Sequence, residues 1–116
     1  MRVKRSFVDN KSTLDAKFDA QKLAFGPLMF QAARVLRDTG ALGFLKERGQ
    51  DGCNPEELAE GVGLNLYAAR VLLEAGLAAE MLALQGDNFA LTKLGYLVLM
   101  DPMTRVNMDF VHDVCY

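Results

Sequence analysis

Residues 54–92 decide the fold, and they read NPEELAEGVGL, then NLYAARVLLEAGLAAEMLAL, then QGDNFALT. The first two segments predict short helices joined by a tight turn, and the third predicts a hairpin between two strands. This order of elements is that of a helix-turn-helix followed by a wing. It narrows the fold but leaves the function open, because winged helices act both as DNA readers and as subunit-joining modules of enzymes.

Local capping patterns set the ends of the two helices. Asn54 and Pro55 predict the start of the first, because asparagine caps the free N–H groups and proline suits the first helical position. Gly61 and Gly63 predict that it closes in a tight turn, since glycine accepts the left-handed backbone. Asn65 then predicts the start of a second helix, which is rich in leucine and alanine.

The hairpin is predicted around residues 85–88, QGDN, a polar stretch between two apolar ones. In this register Leu82 and Leu84 on one strand face Phe89 and Leu91 on the other. The wing is therefore expected to be short and partly apolar.

The upstream segment predicts three further helices. Ser12 or Thr13 can cap the first, Gly26 and Pro27 mark the break before the second, and Gly40 ends the second. A third short helix is expected over residues 41–48. The second helix has two apolar strips, which predicts burial on more than one side. One strip holds Leu28, Ala32, Val35 and Leu36, and the other holds Met29, Phe30 and Ala33.

Two more helices are predicted after the hairpin. Thr92 caps the first, and Asp101 and Pro102 stop it. The last helix is expected to begin near Thr104 and has no stop signal before Tyr116, which suggests a fragment of a longer protein. Its apolar residues are Val106, Phe110, Val111 and Val114.

Composition limits the possible classes. The 116 residues suit one domain with its own core, and 51% hydrophobic with 24% charged residues is typical of a globular protein. The apolar stretches are too short for a membrane span or a secretory signal. Cys53 and Cys115 are far apart and lack metal-site spacing, which favours free thiols in the cytoplasm.

Charge argues against the DNA-reading use of this fold. Residues 51–90 hold seven acidic residues and one basic residue, Arg70, and the turn QGDN has no cation. Phosphate contacts dominate the affinity of DNA-binding proteins for DNA. This acidic segment would therefore repel the DNA backbone. We expect no nucleic-acid partner, and a winged-helix transcriptional regulator with salt-dependent DNA binding is kept as the alternative function.

The string NPEELAEGVGLNLYAARVLLEAGLA, a short hairpin and FALTKLGYLVLMDP together resemble the N-terminal domain of S-adenosylmethionine-dependent O-methyltransferases of the caffeate and acetylserotonin type. In that family a helix with an "eeLAe" pattern, here residues 56–60 followed by Gly63, precedes a leucine-rich helix and a wing. An "LT-x-x-G" helix start follows, here Leu91, Thr92 and Gly95. The resemblance extends over about residues 25–103, and the match over residues 33–45 is looser.

This resemblance implies a mainly α winged helix-turn-helix with a small β-hairpin and extra N- and C-terminal helices. Such domains are non-catalytic dimerisation modules that interlock with the partner subunit and help to wall the pocket of a small-molecule methyl acceptor. The expected organisation is a flexible arm over 1–12, the winged-helix dimerisation domain over 13–102, and over 103–116 the start of a helix leading to an absent catalytic domain. S-adenosylmethionine is implied for the full-length homodimer only, since no glycine-rich loop follows a strand here.

No catalytic, cofactor-binding or metal-binding residue is predicted in the chain. Phe25, Leu28, Met29 and Phe30 offer more apolar surface than one side of a helix can bury. Core packing accounts for part of it, and the surplus predicts a surface for a dimer partner or a substrate pocket. His112 beside Asp109 and Asp113 is interpreted as a surface histidine, and Cys115 has no base partner in the sequence.

Overall fold

The computed structural model describes residues 8–115 as seven α-helices and one two-stranded antiparallel sheet. Residues 1–7 of the predicted arm lie outside the described residues, and residues 8–12 precede the first helix. The mainly helical fold class with its small wing is confirmed. The elements are α1 (Thr13–Ala24), α2 (Gly26–Asp38), α3 (Ala41–Arg48), α4 (Pro55–Val62), α5 (Leu66–Ala78), β1 (Leu82–Gln85), β2 (Asn88–Leu91), α6 (Lys93–Met100) and α7 (Pro102–Cys115).

Helix α4 begins with the predicted cap. The Asn54 side chain accepts a hydrogen bond from the Glu57 N–H at 2.8 Å, and the Glu57 side chain accepts one from the Asn54 N–H at 3.0 Å. Gly63 ends the helix in the left-handed conformation, with φ 73°. Gly61 was predicted to share that turn but lies inside α4. The Phe44 ring packs against it, which accounts for the absence of a side chain there. A Cβ at Gly61 would stand 2.3 Å from that ring.

The hairpin has the predicted register, with Leu82 opposite Leu91 and Leu84 opposite Phe89. Strand β2 is joined near the turn to the segment before α4, where Cys53 and Phe89 exchange backbone hydrogen bonds of 2.9 and 2.8 Å. This close approach requires glycine at residue 52, since a Cβ there would stand 2.2 Å from the Phe89 carbonyl oxygen. The wing is therefore fixed to the segment that precedes α4.

One apolar core lies where α2 to α5, the hairpin and α6 meet. Its largest fully buried side chains are Leu36, Leu42, Leu45, Cys53, Leu58, Leu73 and Leu82. Helix α2 faces this core on one side only, which corrects the prediction of burial on more than one side. Leu36 is fully buried, whereas Leu28 and Val35 are 68% and 42% exposed because no described element covers that side of α2.

Helix α7 begins at Pro102, two residues before the predicted start. Asp101 caps it, accepting hydrogen bonds at one carboxylate oxygen from the N–H and the hydroxyl of Thr104 at 2.9 and 2.7 Å. Helix α6 ends at Met100 and Asp101 is extended, as predicted from the following proline, and Pro102 also opens α7, as its fixed φ allows. Met108 is the residue of α7 buried in the core. Among residues 8–115, no helix is both long enough and apolar enough to cross a bilayer.

An ion network joins α2 to α7. Asp109 Oδ1 accepts hydrogen bonds from Arg34 Nη1 at 3.3 Å and from Arg37 Nη2 at 3.2 Å, and Arg37 Nε donates to Asp38 at 3.1 Å. The Arg37 side chain is 4% exposed. Burial opposes its charge, but the hydrogen bonds to both carboxylates outweigh burial and raise the pKa of Arg37. The Arg37 hydrogen bond in turn lowers the pKa of Asp109.

We expect Gly95→Ala to destabilise the fold and Gly43→Ala to spare it. A Cβ at Gly95 would stand 2.3 Å from the Met81 carbonyl oxygen, so the backbone must shift, at a cost of about 1–3 kcal/mol. Gly43 lies in α3 with open space around it, and alanine there is expected to add roughly 0.5–1 kcal/mol. Urea unfolding at one protein concentration measures both, and equal effects would contradict the packing described for Gly95.

We expect Asp109→Asn to remove part of the acid sensitivity of the fold. The folded pKa of Asp109 is lowered, so its contribution to stability is present above the unfolded pKa and is lost as pH falls through the folded pKa. The variant should lose stability near neutral pH and show a flatter decline in acid. Urea midpoints from about pH 6 to about pH 2 report this. Asp87→Asn at the exposed hairpin turn is the control, and an unchanged acid decline in Asp109→Asn would refute the role of the network.

Candidate functional site

Helix α1 has no buried residue, although one of its sides is apolar. Leu14 and Phe18 are one turn apart and are 62% and 59% exposed, and Phe25, just past the helix, is 51% exposed. At 100° per residue these three side chains point to the same side. A salt bridge of 2.7 Å between Lys22 and Glu80 ties α1 to the end of α5. The helix is therefore attached to the domain and still offers its apolar side to another molecule.

A groove of about 600 Å³ lies between α1, the start of α2 and the end of α5. Phe18, Phe25, Met29 and Ala78 supply its apolar lining. Gln21 and charged residues of both signs form the rest of the lining, the latter being Lys11, Asp15, Asp19, Lys22 and Glu80. This mixture of an apolar lining and a charged rim is typical of a surface that binds protein or an apolar ligand.

Both lysines at the rim of this groove are in ion pairs, Lys11 with Asp19 and Lys22 with Glu80. The hydrogen bond from Lys11 lowers the pKa of Asp19, and the hydrogen bond to Glu80 raises the pKa of Lys22. Lys22 therefore stays charged and Asp19 stays ionised at neutral pH. Neither group is shifted toward neutral pH, as acid-base chemistry would require.

The structure separates the four residues that the sequence had grouped. Phe25 and Met29 line the groove together. Leu28 points to the outer side of α2 and is 68% exposed, and Phe30 packs against the core. Successive residues of a helix differ by 100°, so a run of apolar residues is divided between different surroundings. The surface role predicted for these four residues stays a prediction, supported by location for three of them.

The uncovered apolar side of α1 and the partner of Asp109 were not predicted from the sequence. Leu14 and Phe18 lie at helical spacing, but nothing local shows whether their side of the helix is covered. Asp109 was considered with His112, whereas the structure turns Asp109 to the arginines of α2. His112 Nδ1 lies 3.3 Å from the Asp113 carboxylate. The detectable signal was the pair of arginines in an otherwise apolar helix, since a buried arginine requires a carboxylate partner.

Metal sites, reactive thiols and a site for a nucleotide-type methyl donor were also considered in the described part of the chain. There, no three His, Cys, Asp or Glu side chains are grouped so that they could hold a metal ion. Cys53 is buried, which raises the pKa of its thiol, and Cys115 is exposed. A nucleotide-type methyl donor needs a glycine-rich loop between a parallel strand and a helix. The sheet here is an antiparallel hairpin, so these residues do not fit that cofactor.

The helix that would enter a DNA groove is also unsuited to phosphate. Helix α5 exposes Tyr67 (78%) and Val71 (45%). Its Arg70, the single cation of residues 51–90, lies 3.6 Å from the Glu56 carboxylate. A cation already paired with a carboxylate is less available to a phosphate.

Comparison with known proteins agrees with this geometry. The family model of the Dimerisation2-like domain matches residues 17–89, which reach from α1 into β2. The fold is similar to that of a solved structure described as CalO1, a methyltransferase in calicheamicin biosynthesis, in its SAH-bound form. The two are 25% identical with a TM-score of 0.53, and the match covers 90% of this chain and 31% of that one. A search of curated proteins gave no match.

This chain thus spans about a third of the length of the methyltransferase that it resembles. The resemblance to the dimerisation domain of such enzymes, predicted from the order of motifs, is confirmed. Neither match supports the alternative of a DNA-binding regulator. The family model covers well over half of the 116 residues, and the chain belongs to the Dimerisation2-like domain family.

Proposed function

We propose that this chain is the non-catalytic dimerisation domain of an S-adenosylmethionine-dependent O-methyltransferase, and that two copies associate through the apolar side of α1. The observation that carries the proposal is a helix of 12 residues with no buried side chain. Exposure of Leu14, Phe18 and Phe25 to water is unfavourable in free energy. A second copy is the partner that the family implies.

The total exposed area supports this proposal. A compact monomer of 12.8 kDa exposes about 6,300 Å², whereas this chain exposes 8143 Å². Even if the eight residues outside the described range are each allowed roughly 160 Å², the value for an unfolded chain, a surplus of about 560 Å² remains. A stable interface buries about 800 Å² on each partner. The surplus is therefore roughly two-thirds of the area that such an interface buries on one partner.

The shape of the chain agrees with the area. Its radius of gyration is 15.9 Å, compared with about 13 Å for a compact domain of this length. An elongated outline exposes helices that a spherical domain would cover. A second copy would supply the missing cover.

The proposal that the chain is part of a methyltransferase rests on its similarity to the solved methyltransferase structure. The groove with Phe25 and Met29 would help to wall the pocket of a small-molecule methyl acceptor. S-adenosylmethionine would be bound by another part of the full-length protein, in the cytoplasm, where the two free cysteines are compatible with reducing conditions. The division into an arm over 1–12, a winged-helix domain over 13–102 and a connecting segment over 103–116 belongs to this proposal.

The self-association is tested by sedimentation velocity over a concentration series. We expect a reversible dimer that Phe18→Glu weakens by at least about tenfold, because the charge would have to be desolvated at the interface. Leu84→Glu, on the exposed wing at 55% exposure, is the matched control and should leave association unchanged. A wild-type chain that stays monomeric at high concentration would refute the dimer.

The assignment to an enzyme is tested separately by sequencing the coding region beyond Tyr116. We expect a strand followed by a glycine-rich loop and a helix, the arrangement that holds a nucleotide-type methyl donor. The full-length product should bind S-adenosylhomocysteine in a calorimeter, and the 116-residue chain should not. Tight binding by the 116-residue chain alone would contradict the non-catalytic role.

A further inference from the structure

A second cavity, the wing pocket, lies between the end of α3, the hairpin and the first turn of α6. Leu45, Lys46, Ala90 and Lys93 are among the residues that line it. Its volume is about 430 Å³, which is within the roughly 300–1,000 Å³ range of pockets that bind small molecules. In the described part of the chain, no residue lines both this pocket and the α1 groove. The wing pocket is therefore separate from the surface assigned to dimerisation.

The floor of the wing pocket is apolar, and its walls are fixed by contacts within the domain. Leu45 is fully buried and Ala90 is 5% exposed. The start of α6 is held against the residue before β1, because the Thr92 N–H donates to the Met81 carbonyl at 3.0 Å and Gly95 packs against the same carbonyl. The pocket is therefore formed in the absence of a ligand, as most small-molecule sites are.

The polar side chains of the wing pocket can donate hydrogen bonds. Lys46 and Lys93 supply two positive charges, and Gln50, Gln85 and Tyr96 add amide and hydroxyl donors. Among residues 8–115, no carboxylate lines this pocket, whereas three carboxylates line the α1 groove. Hydrogen bonds from a charged donor to an anion are roughly twice as strong as those between neutral groups. The lining therefore favours a negatively charged ligand.

The same donors have few partners within the domain. Among residues 8–115, no hydrogen bond or ion pair is formed by the side chains of Gln50, Gln85, Lys93 and Tyr96. Lys46 lies 3.9 Å from the carboxylate of the next residue, Glu47, whose side chain is 82% exposed. Exposed ion pairs of this kind contribute little to stability, so little is lost when Lys46 turns to a ligand.

The carboxylates around the wing pocket limit the charge of its ligand. Asp51 and Asp87 are exposed, and they follow Gln50 and Gln85 by one and two residues. Neither they nor Glu47 lines the pocket, so they do not contact a ligand inside it. A polyanion such as a nucleic acid would bring further negative charges close to these carboxylates and would be repelled. A small ligand with one negative charge would meet the two lysines alone.

We propose that the wing pocket binds a small organic monoanion, an apolar body that carries one carboxylate. The apolar body lies on Leu45 and Ala90, and the carboxylate accepts hydrogen bonds from Lys46 and Lys93. This site goes beyond the proposed function, because it depends neither on the dimer nor on the assignment to a methyltransferase.

The test is an NMR titration of the isotope-labelled chain with naphthoate, which combines an apolar ring system with one carboxylate. We expect saturable shifts of the backbone amides of residues 49–50 and 90–93, which line the pocket. Naphthamide has the same ring system without the charge and should bind at least about tenfold more weakly. Equal affinities for the two probes would overturn the proposal, and so would shifts confined to the α1 groove.

Lys93→Gln removes one positive charge from the wing pocket, and Lys17→Gln is the matched control. Lys17 is an exposed residue of α1 that lines neither cavity. Both lysines are exposed, so both variants should fold, as circular dichroism can confirm. We expect Lys93→Gln to weaken naphthoate binding at least about fivefold and Lys17→Gln to leave it unchanged. Unchanged binding by Lys93→Gln, or equal weakening by both variants, would overturn the site.

Sedimentation velocity with saturating naphthoate separates the wing pocket from the proposed dimer. We expect association to be unchanged by the probe, since the pocket and the α1 groove share no lining residue. Dissociation of the dimer by naphthoate would indicate binding at the α1 groove and would overturn the wing pocket as its site. A monomeric chain that binds naphthoate at the wing pocket would refute the dimer and support the site.

Discussion

The chain has more apolar surface than its single core can bury, and the rest of the structure depends on this excess. The core is built around Leu36, Leu58 and Leu73. Helices α1, α2 and α7 have apolar side chains on more sides than this core can reach. Burial of apolar area is the main favourable term in folding and association, so the uncovered sides are the strongest pointers to a partner. The groove at α1 and the outer faces of α2 and α7 are the places where this unburied apolar surface lies.

Local interactions made much of the fold predictable. Asn54, Asn65 and Thr92 each cap a helix through a side-chain oxygen that bonds an N–H three residues later. The donor and acceptor are close in sequence, so the pattern can be recognised without tertiary information. The same holds for the hairpin, because a turn over Gly86 and Asp87 fixes which residues of the two strands face each other.

What the sequence could not show depends on contacts between distant segments. Gly61 has no room for a side chain because the ring of Phe44 lies against it, and Asp109 bonds to two arginines that α2 brings to it. The exposed side of α1 belongs to this class as well. Periodicity detects an apolar side of a helix, but whether that side is covered depends on the packing of the whole domain.

Helix α1 adds an energetic consequence. Twelve residues are about the lower limit for a helix that is stable alone in water, and no residue of α1 is fully buried by its own chain. Its order must come largely from whatever covers Leu14 and Phe18. Helix formation in α1 and association with a partner are then one linked equilibrium. Part of the energy of the contact is consumed in ordering the helix, so the measured affinity will be lower than the size of the buried surface suggests.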